Sequence, residues 1–290
     1  MKISKVLIVI VALLFTDTVG NAATPAIGRV VSGDAFRLNG DTVISNGTLL
    51  EGALIETART ASSVQLSSGT RLFLSPASRA RLYGDRMILE KGETHIENVV
   101  GFHLEALGLT VRSGGSSSGR IGMEGTTRLR VSALTGTFRV WNARGVLVAN
   151  VAPGSAVAFE PQPTAAAAAT KITGTLTEQR GHFMLTDRVT RVTVEVTGQR
   201  LAAYVGQVVG VTGALDVAAK SVANASQVIA ANQVQPVDNG ATGAVVGGVS
   251  AIESRAQPED VPSGPPPDRP KGPPPGRPKG PPETPPGLSR

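Results

Sequence analysis

Three histidines, His95, His103 and His182, are the side chains best suited to metal or proton chemistry, and the chain has no cysteine. None of the three has a second histidine or a carboxylate at a recognised ligand spacing, so a zinc site would need partners gathered from distant strands. The cluster Ser113-Gly114-Gly115-Ser116-Ser117-Ser118-Gly119 lacks the Gly-x-Ser-x-Gly elbow that exposes a nucleophile. Arg120-Ile121-Gly122, which follows it, lacks the Lys-Ser or Lys-Thr ending of a phosphate-cradling loop, so the cluster reads as a hairpin loop. Glu90, Glu93 and Glu97 supply paired carboxylates, but glycoside hydrolysis needs them across a cleft furnished with sugar-stacking aromatics. One Trp, two Tyr and seven Phe make that cleft hard to build. The expectation is a protein with no catalytic residue, no metal and no cofactor, which binds rather than turns over.

The span best fitted to binding is rich in arginine. Arg112, Arg120, Arg128, Arg130, Arg139 and Arg144 are interrupted by a single acid, Glu124. On a strand Arg128 and Arg130 fall on one face, and with Arg139 they are the candidate partner-binding residues. Guanidinium groups pair with carboxylate or phosphate in a bidentate fork, which suits an acidic envelope polymer or an envelope protein. The competing reading is an ordinary solvated face opposite a core of Leu129 and Val131. The net charge of +6 does not extend the idea to nucleic acid. Residues 24–160 hold 14 basic and 11 acidic groups, 171–237 hold 6 and 4, and 238–290 hold 6 and 6, so no segment is a basic arm.

The elements that must position these side chains are strands. Gly (34 residues), Val and Thr recur throughout, aromatics are 3%, and 41% apolar content is enough to fill real cores. Residues 24–160 alternate oily and wet positions, as in Ser63-Val64-Gln65-Leu66-Ser67, Thr70-Arg71-Leu72-Phe73-Leu74 and Thr127-Arg128-Leu129-Arg130-Val131. Gly40-Asp41, Asn46-Gly47, Ser68-Gly69, Lys91-Gly92 and Arg144-Gly145 read as turns. The spacing predicts a β-sandwich, roll or short solenoid. Residues 161–170, Pro-rich and then a run of Ala, read as a linker. Five strands are expected at 171–177, 182–186, 192–197, 207–214 and 227–235, with a helical turn at 199–205 that points Leu201, Ala202 and Tyr204 inward. That order suits a small five-stranded barrel. Phe183 and Tyr204, its only aromatics, are too few to stack the bases of a nucleic acid. Residues 238–290 turn Gly- and Pro-rich and read as a disordered, extended tail.

The N-terminus indicates compartment. Lys2 and Lys5 precede an apolar run at 6–15, and Ala22 and Ala23 end a stretch of small residues fit for cleavage. Residues 1–23 therefore read as a secretory signal peptide, and the run is too short for a spanning helix of about 20 residues. The mature chain is expected in the periplasm or outside the cell.

The first domain also resembles a known family. Leu50-Glu51-Gly52-Ala53-Leu54-Ile55-Glu56-Thr57, Ser68-Gly69-Thr70-Arg71-Leu72, Leu74-Ser75-Pro76-Ala77-Ser78 and Leu89-Glu90-Lys91-Gly92-Glu93 are similar to the repeated pattern of FecR-type domains. Thr135-Gly136-Thr137-Phe138-Arg139-Val140 and 151–157 are similar to that family's closing strands. The resemblance implies an extracytoplasmic all-β sensing or interaction module, and regulation of a membrane protein is the alternative function it carries. Ile172-Thr173-Gly174-Thr175-Leu176, 181–187 and 204–213 look like bacterial OB-type envelope domains.

Overall fold

The computed structural model describes residues 25–97, 100–161, 170–216, 218–222, 224–237, 243–246 and 248–254. The expected secretory leader, with its cleavage region at Ala22 and Ala23, lies outside the described residues.

The first seventeen strands are short. They are β1 Ala26–Ser32, β2 Phe36–Leu38, β3 Asp41–Val43, β4 Asn46–Leu50, β5 Ala53–Glu56 and β6 Ser62–Leu66. Next come β7 Arg71–Leu74, β8 Arg79–Leu82, β9 Arg86–Lys91, β10 Glu93–Glu97, β11 His103–Ala106 and β12 Leu109–Ser113. The series closes with β13 Ser118–Glu124, β14 Arg128–Thr135, β15 Phe138–Asn142, β16 Leu147–Val151 and β17 Ala156–Pro161. They divide between two sheets. In spatial order the first runs β4-β1-β6-β7-β10-β13-β14-β17 and the second β3-β2-β5-β8-β9-β11-β12-β15-β16. Only β9 and β11 pair in parallel within these two sets. From β6 onward the chain lays a hairpin or single strand on one sheet and then crosses to the other, so the sandwich is wound as a roll.

Period-two alternation explains the layering. Val64, Leu72, Leu74, Ile96, Ile121, Leu129 and Val131 of the first sheet join Ile55, Leu82, Met87, Leu104, Val111 and Val140 of the second in one buried cluster. Each such side chain, fully buried, contributes about 1.5–3 kcal/mol. The corner from β9 to β10 turns at Gly92, whose φ is +84°. A Cβ there would come within 2.6 Å of the Ser78 Cα. Around this corner the buried Thr57 hydroxyl donates to the Ser75 carbonyl (2.6 Å) and accepts from the Ser78 amide (2.8 Å). The Ser78 hydroxyl in turn donates to the Glu93 carbonyl (3.1 Å) and accepts from its amide (3.0 Å). Thr57, Ser78 and Gly92, separated in sequence, thus form one polar knot that satisfies buried backbone groups.

A second set of strands follows: β18 Thr170–Gln179, β19 His182–Asp187, β20 Thr193–Thr197, β21 Val208–Asp216 and β22 Val228–Pro236. They close into a barrel in the order β18-β19-β20-β22-β21, with β21 returning to β18. All pairings are antiparallel except β20 with β22. A 3-10 turn at Leu201–Tyr204 lies between the third and fourth barrel strands. The Asp187 carboxylate is buried and fixes the β19–β20 bend, accepting from the amides of Thr173, Val189 and Thr190 and from the Thr190 hydroxyl.

Four expectations need correction. Asn46-Gly47 is not a turn but the start of β4. The tight turn is Asn39-Gly40, whose φ values of +54° and +93° suit a two-residue hairpin between β2 and β3. Ala202 is exposed, and Leu201 alone of the helical turn is buried. The segment 161–170 is shorter than a ten-residue linker, because Pro161 ends β17 and Thr170 begins β18. The tail does not start at Asp238. A hairpin of β23 Gly243–Val246 and β24 Val249–Ser254 buries Ala244, Val246, Val249 and Ala251, and β24 pairs with β17 over six positions. Gly-rich composition concealed a short Val-Ala alternation that serves as a strand once a sheet edge is offered. Residues 255–290 lie outside the described residues.

This hairpin is also a bridge. β24 pairs with β17 of the sandwich, and β23 meets β18 of the barrel at Lys171 and Val245, so fifteen strands share one sheet. The described residues all fall within one compact unit.

Candidate functional site

The arginines singled out from sequence do not gather on one face. Arg128 and Arg130 lie on β14, facing out from the first sheet, and both are taken by carboxylates. Arg128 Nε donates to Glu160 Oε1 at 2.7 Å, and its other nitrogens reach Glu160 and Glu124. Arg130 Nε stands 2.6 Å from Glu124 Oε1. The hydrogen bond that Arg128 donates to Glu160 and then the Glu160 charge, with a further contribution from Glu124, push the Arg128 guanidinium pKa up from its ordinary value. This cluster is internally neutralised and has little charge left for a partner.

Arg139 belongs to the second sheet. There the register of four adjacent strands sets Arg86 opposite His103, His103 opposite Arg112, and Arg112 opposite Arg139. Beyond Arg139 stands Asn150 on β16. The acids of this face lie at one end of the row. Glu105 Oε1 is 3.2 Å from His103 Nε2 and 3.9 Å from Arg86 Nε, and Arg86 also meets Asp85 (3.3 Å) and stacks over Tyr83 (4.2 Å). At the other end Arg112 and Arg139 are exposed, and among the described residues neither makes an ion pair. Two like charges directly opposite on neighbouring strands cost stability. Arg112 gains part of that back by lying over the Trp141 ring, 5.7 Å from its centroid.

Trp141 follows Arg139 by two positions and therefore shares its face. It marks the rim of a cleft of about 380 Å³ between the β15–β16 turn and the barrel, lined by Trp141, Arg144 and Leu147 on one side and Asp216, Ser221 and Gln227 on the other. Asn142 builds the near wall, its buried side-chain oxygen accepting from the amides of Arg144 (3.0 Å) and Val146 (2.9 Å). Asn150 fastens the sandwich to the barrel by donating from its backbone to Thr190 (2.6 Å) and from its side chain to Arg191 (3.1 Å). Another hollow, about 420 Å³, lies among Ala26, Gly28, Leu66 and Gly69, but its Arg29 is occupied by Gln65.

The remaining sequence candidates are dispersed. His95 Nε2 meets Glu97 (3.2 Å) and its ring packs beside Phe73, His103 meets Glu105, and His182 Nδ1 meets Glu195 at 2.7 Å in the barrel. Among the described residues no three acidic or imidazole groups converge as a metal site would require. Glu90 holds Arg79 (2.7 Å) and Arg81 (3.7 Å). Ser113 to Gly119 joins β12 of the second sheet to β13 of the first, so it is a crossing between sheets and not a hairpin loop. Sequence reading named Arg112 and Arg139 but missed Asp216, Ser221 and Gln227. They reach the cleft only because the barrel docks on β16, and no local pattern announces that.

No family model and no curated protein matches the chain. Among solved structures, two crystal structures of a "putative anti-sigma factor" from Parabacteroides distasonis ATCC 8503 are similar to part of it. One has TM-score 0.32 and 18% identity, covering 37% of this chain and 54% of that one; the other has TM-score 0.31 and 20% identity, covering 36% and 53%. The chain thus spans about half the length of the structures it matches, and the likeness is too slight to transfer a function.

Proposed function

We propose that this is an exported, non-catalytic binding module of a bacterial envelope, which holds an acidic polymer or an acidic protein surface on the outer face of its second sheet. The observation that carries the reading is the exposed Arg112–Arg139 pair. Opposed cations without carboxylates are a local cost that an anionic partner would remove. The basic start and apolar run at the N-terminus support export. The FecR-type motif residues Thr57, Ser78 and Gly92 meet in one hydrogen-bonded corner, which favours a scaffold role for them over a chemical one. The barrel's strand order, its single parallel pairing and its 3-10 turn after the third strand support the OB-type reading.

Co-sedimentation with purified envelope material tests the proposal. Arg112→Ser with Arg139→Ser should weaken binding on the order of tenfold, the scale of lost charge-assisted hydrogen bonds. Arg128→Ser should leave it unchanged, because Glu160 and Glu124 already occupy that group. Equal binding by the Arg112/Arg139 double variant and the parent removes the idea. Recovery of one integral membrane protein in place of envelope polymer moves the assignment to the regulatory alternative.

A further inference from the structure

The cleft beside the arginine pair has a chemistry of its own, and it narrows the class of ligand. Its walls present a carboxylate, hydroxyls and an amide. Asp216 Oδ1 is engaged by the amides of Ala218 and Ala219 (3.0 Å each), while its second oxygen accepts nothing among the described residues. Ser221 and Ser226 donate to the Ala225 and Thr193 carbonyls, which leaves each hydroxyl oxygen free to accept. Gln227 lines the same cleft, and its amide nitrogen, shut off from solvent, has no hydrogen-bond partner among the described residues. An unpaired buried donor is costly and marks a place where an acceptor belongs. At the rim Trp141 supplies an aromatic face, with Arg112 and Arg139 next to it.

From this arrangement we propose that the cleft is a subsite for a carboxylated saccharide, with a sugar ring at Trp141, its hydroxyls toward Asp216, Ser221, Ser226 and Gln227, and its carboxylate on Arg139 and Arg112. Mixed donors and acceptors match vicinal hydroxyls, each of which gives and takes a hydrogen bond. With Arg144 on one wall and Asp216 on the other, the cleft lining carries no net charge of its own, which suits the hydroxyls of a sugar in the cleft with its carboxylate turned out to Arg139 and Arg112. Arg139 and Trp141 stand about 6.6 Å apart along the strand, two residues at the strand rise, a separation an arginine side chain spans easily. The cleft volume lies within the ~300–1,000 Å³ range usual for ligand sites between structural units. The proposal rests on the acidic-partner reading and sharpens it.

Trp141 is the sole tryptophan of the chain, so its fluorescence reports on this site alone. The mature chain is titrated with an oligogalacturonate, a neutral glucan oligosaccharide of equal length, and polyphosphate, by calorimetry and by tryptophan emission. The expected result is saturable binding of the oligogalacturonate with a change in Trp141 emission, and neither effect with the neutral glucan. Trp141→Ala should weaken it about tenfold, the scale of one lost stacking contact, while Trp141→Phe retains most of the affinity and controls for folding. Gln227→Ala should weaken it with the emission change retained. If oligogalacturonate and polyphosphate bind alike and Trp141 emission does not change, the saccharide subsite is wrong while the anionic surface stands. If neither binds, both readings fall.

Discussion

At the residue scale the molecule separates charges that look alike in sequence. Arg128, Arg130 and Arg139 fall within twelve positions, yet the first two are neutralised on one sheet and the third is exposed on the other. Removing the Arg128–Glu160 pair should therefore change stability little, since ion pairs open to water are screened and add little; chemical denaturation of Arg128→Ser checks this. Gly92→Ala should be far worse. It places a side chain at positive φ and against the Ser78 backbone, so a loss of roughly 2–4 kcal/mol is expected, combining conformational strain with overpacking. Asp187→Ala should cost a similar amount, about 2–4 kcal/mol, because several buried donors lose their acceptor together. A urea midpoint within error of the parent for either variant would contradict these assignments.

At the element scale most strands were legible, because alternation with period two survives in a chain whose sheets each have a dry and a wet face. The bounds of the five barrel strands fall within two residues of their expected positions. Two kinds of information were hidden. Turn chemistry was misjudged at Asn46-Gly47, where Gly47 lies beside Leu38 and Phe36 and its small size serves packing, not a reversal. The β23–β24 hairpin was read as tail because its strength comes from the neighbours β17 and β18, not from its own sequence. Its contribution can be measured by truncation. A chain ending at Ser254 keeps every described strand and should melt near the full chain. One ending at Val237 exposes Phe159 and the β17 edge and should melt several degrees lower, by the usual conversion of a few kcal/mol into Tm. Identical melting of the two would show that the hairpin is not needed.

At the scale of the whole molecule, sequence pointed to two β units but not to their joint. Asn150, the β23–β24 bridge and a shared sheet join sandwich and barrel, and the cleft exists only between them. The site was unreadable for the same reason: Trp141 and Gln227 lie far apart in the chain and meet only through docking. Scanning calorimetry should accordingly record a single unfolding transition for the protein, with calorimetric and van't Hoff enthalpies in agreement. Two separable transitions would mean that the joint is weak and that the cleft does not hold its shape.

The long sheet closes on itself in the barrel at one end and stops at β4 at the other. With a single open margin, growth by strand addition can happen only there, and two copies that join margin to margin leave nothing for a third. Any self-association through this sheet therefore ends at a pair. Within this sheet, the closure that helps shape the cleft leaves no second margin on which further copies could add.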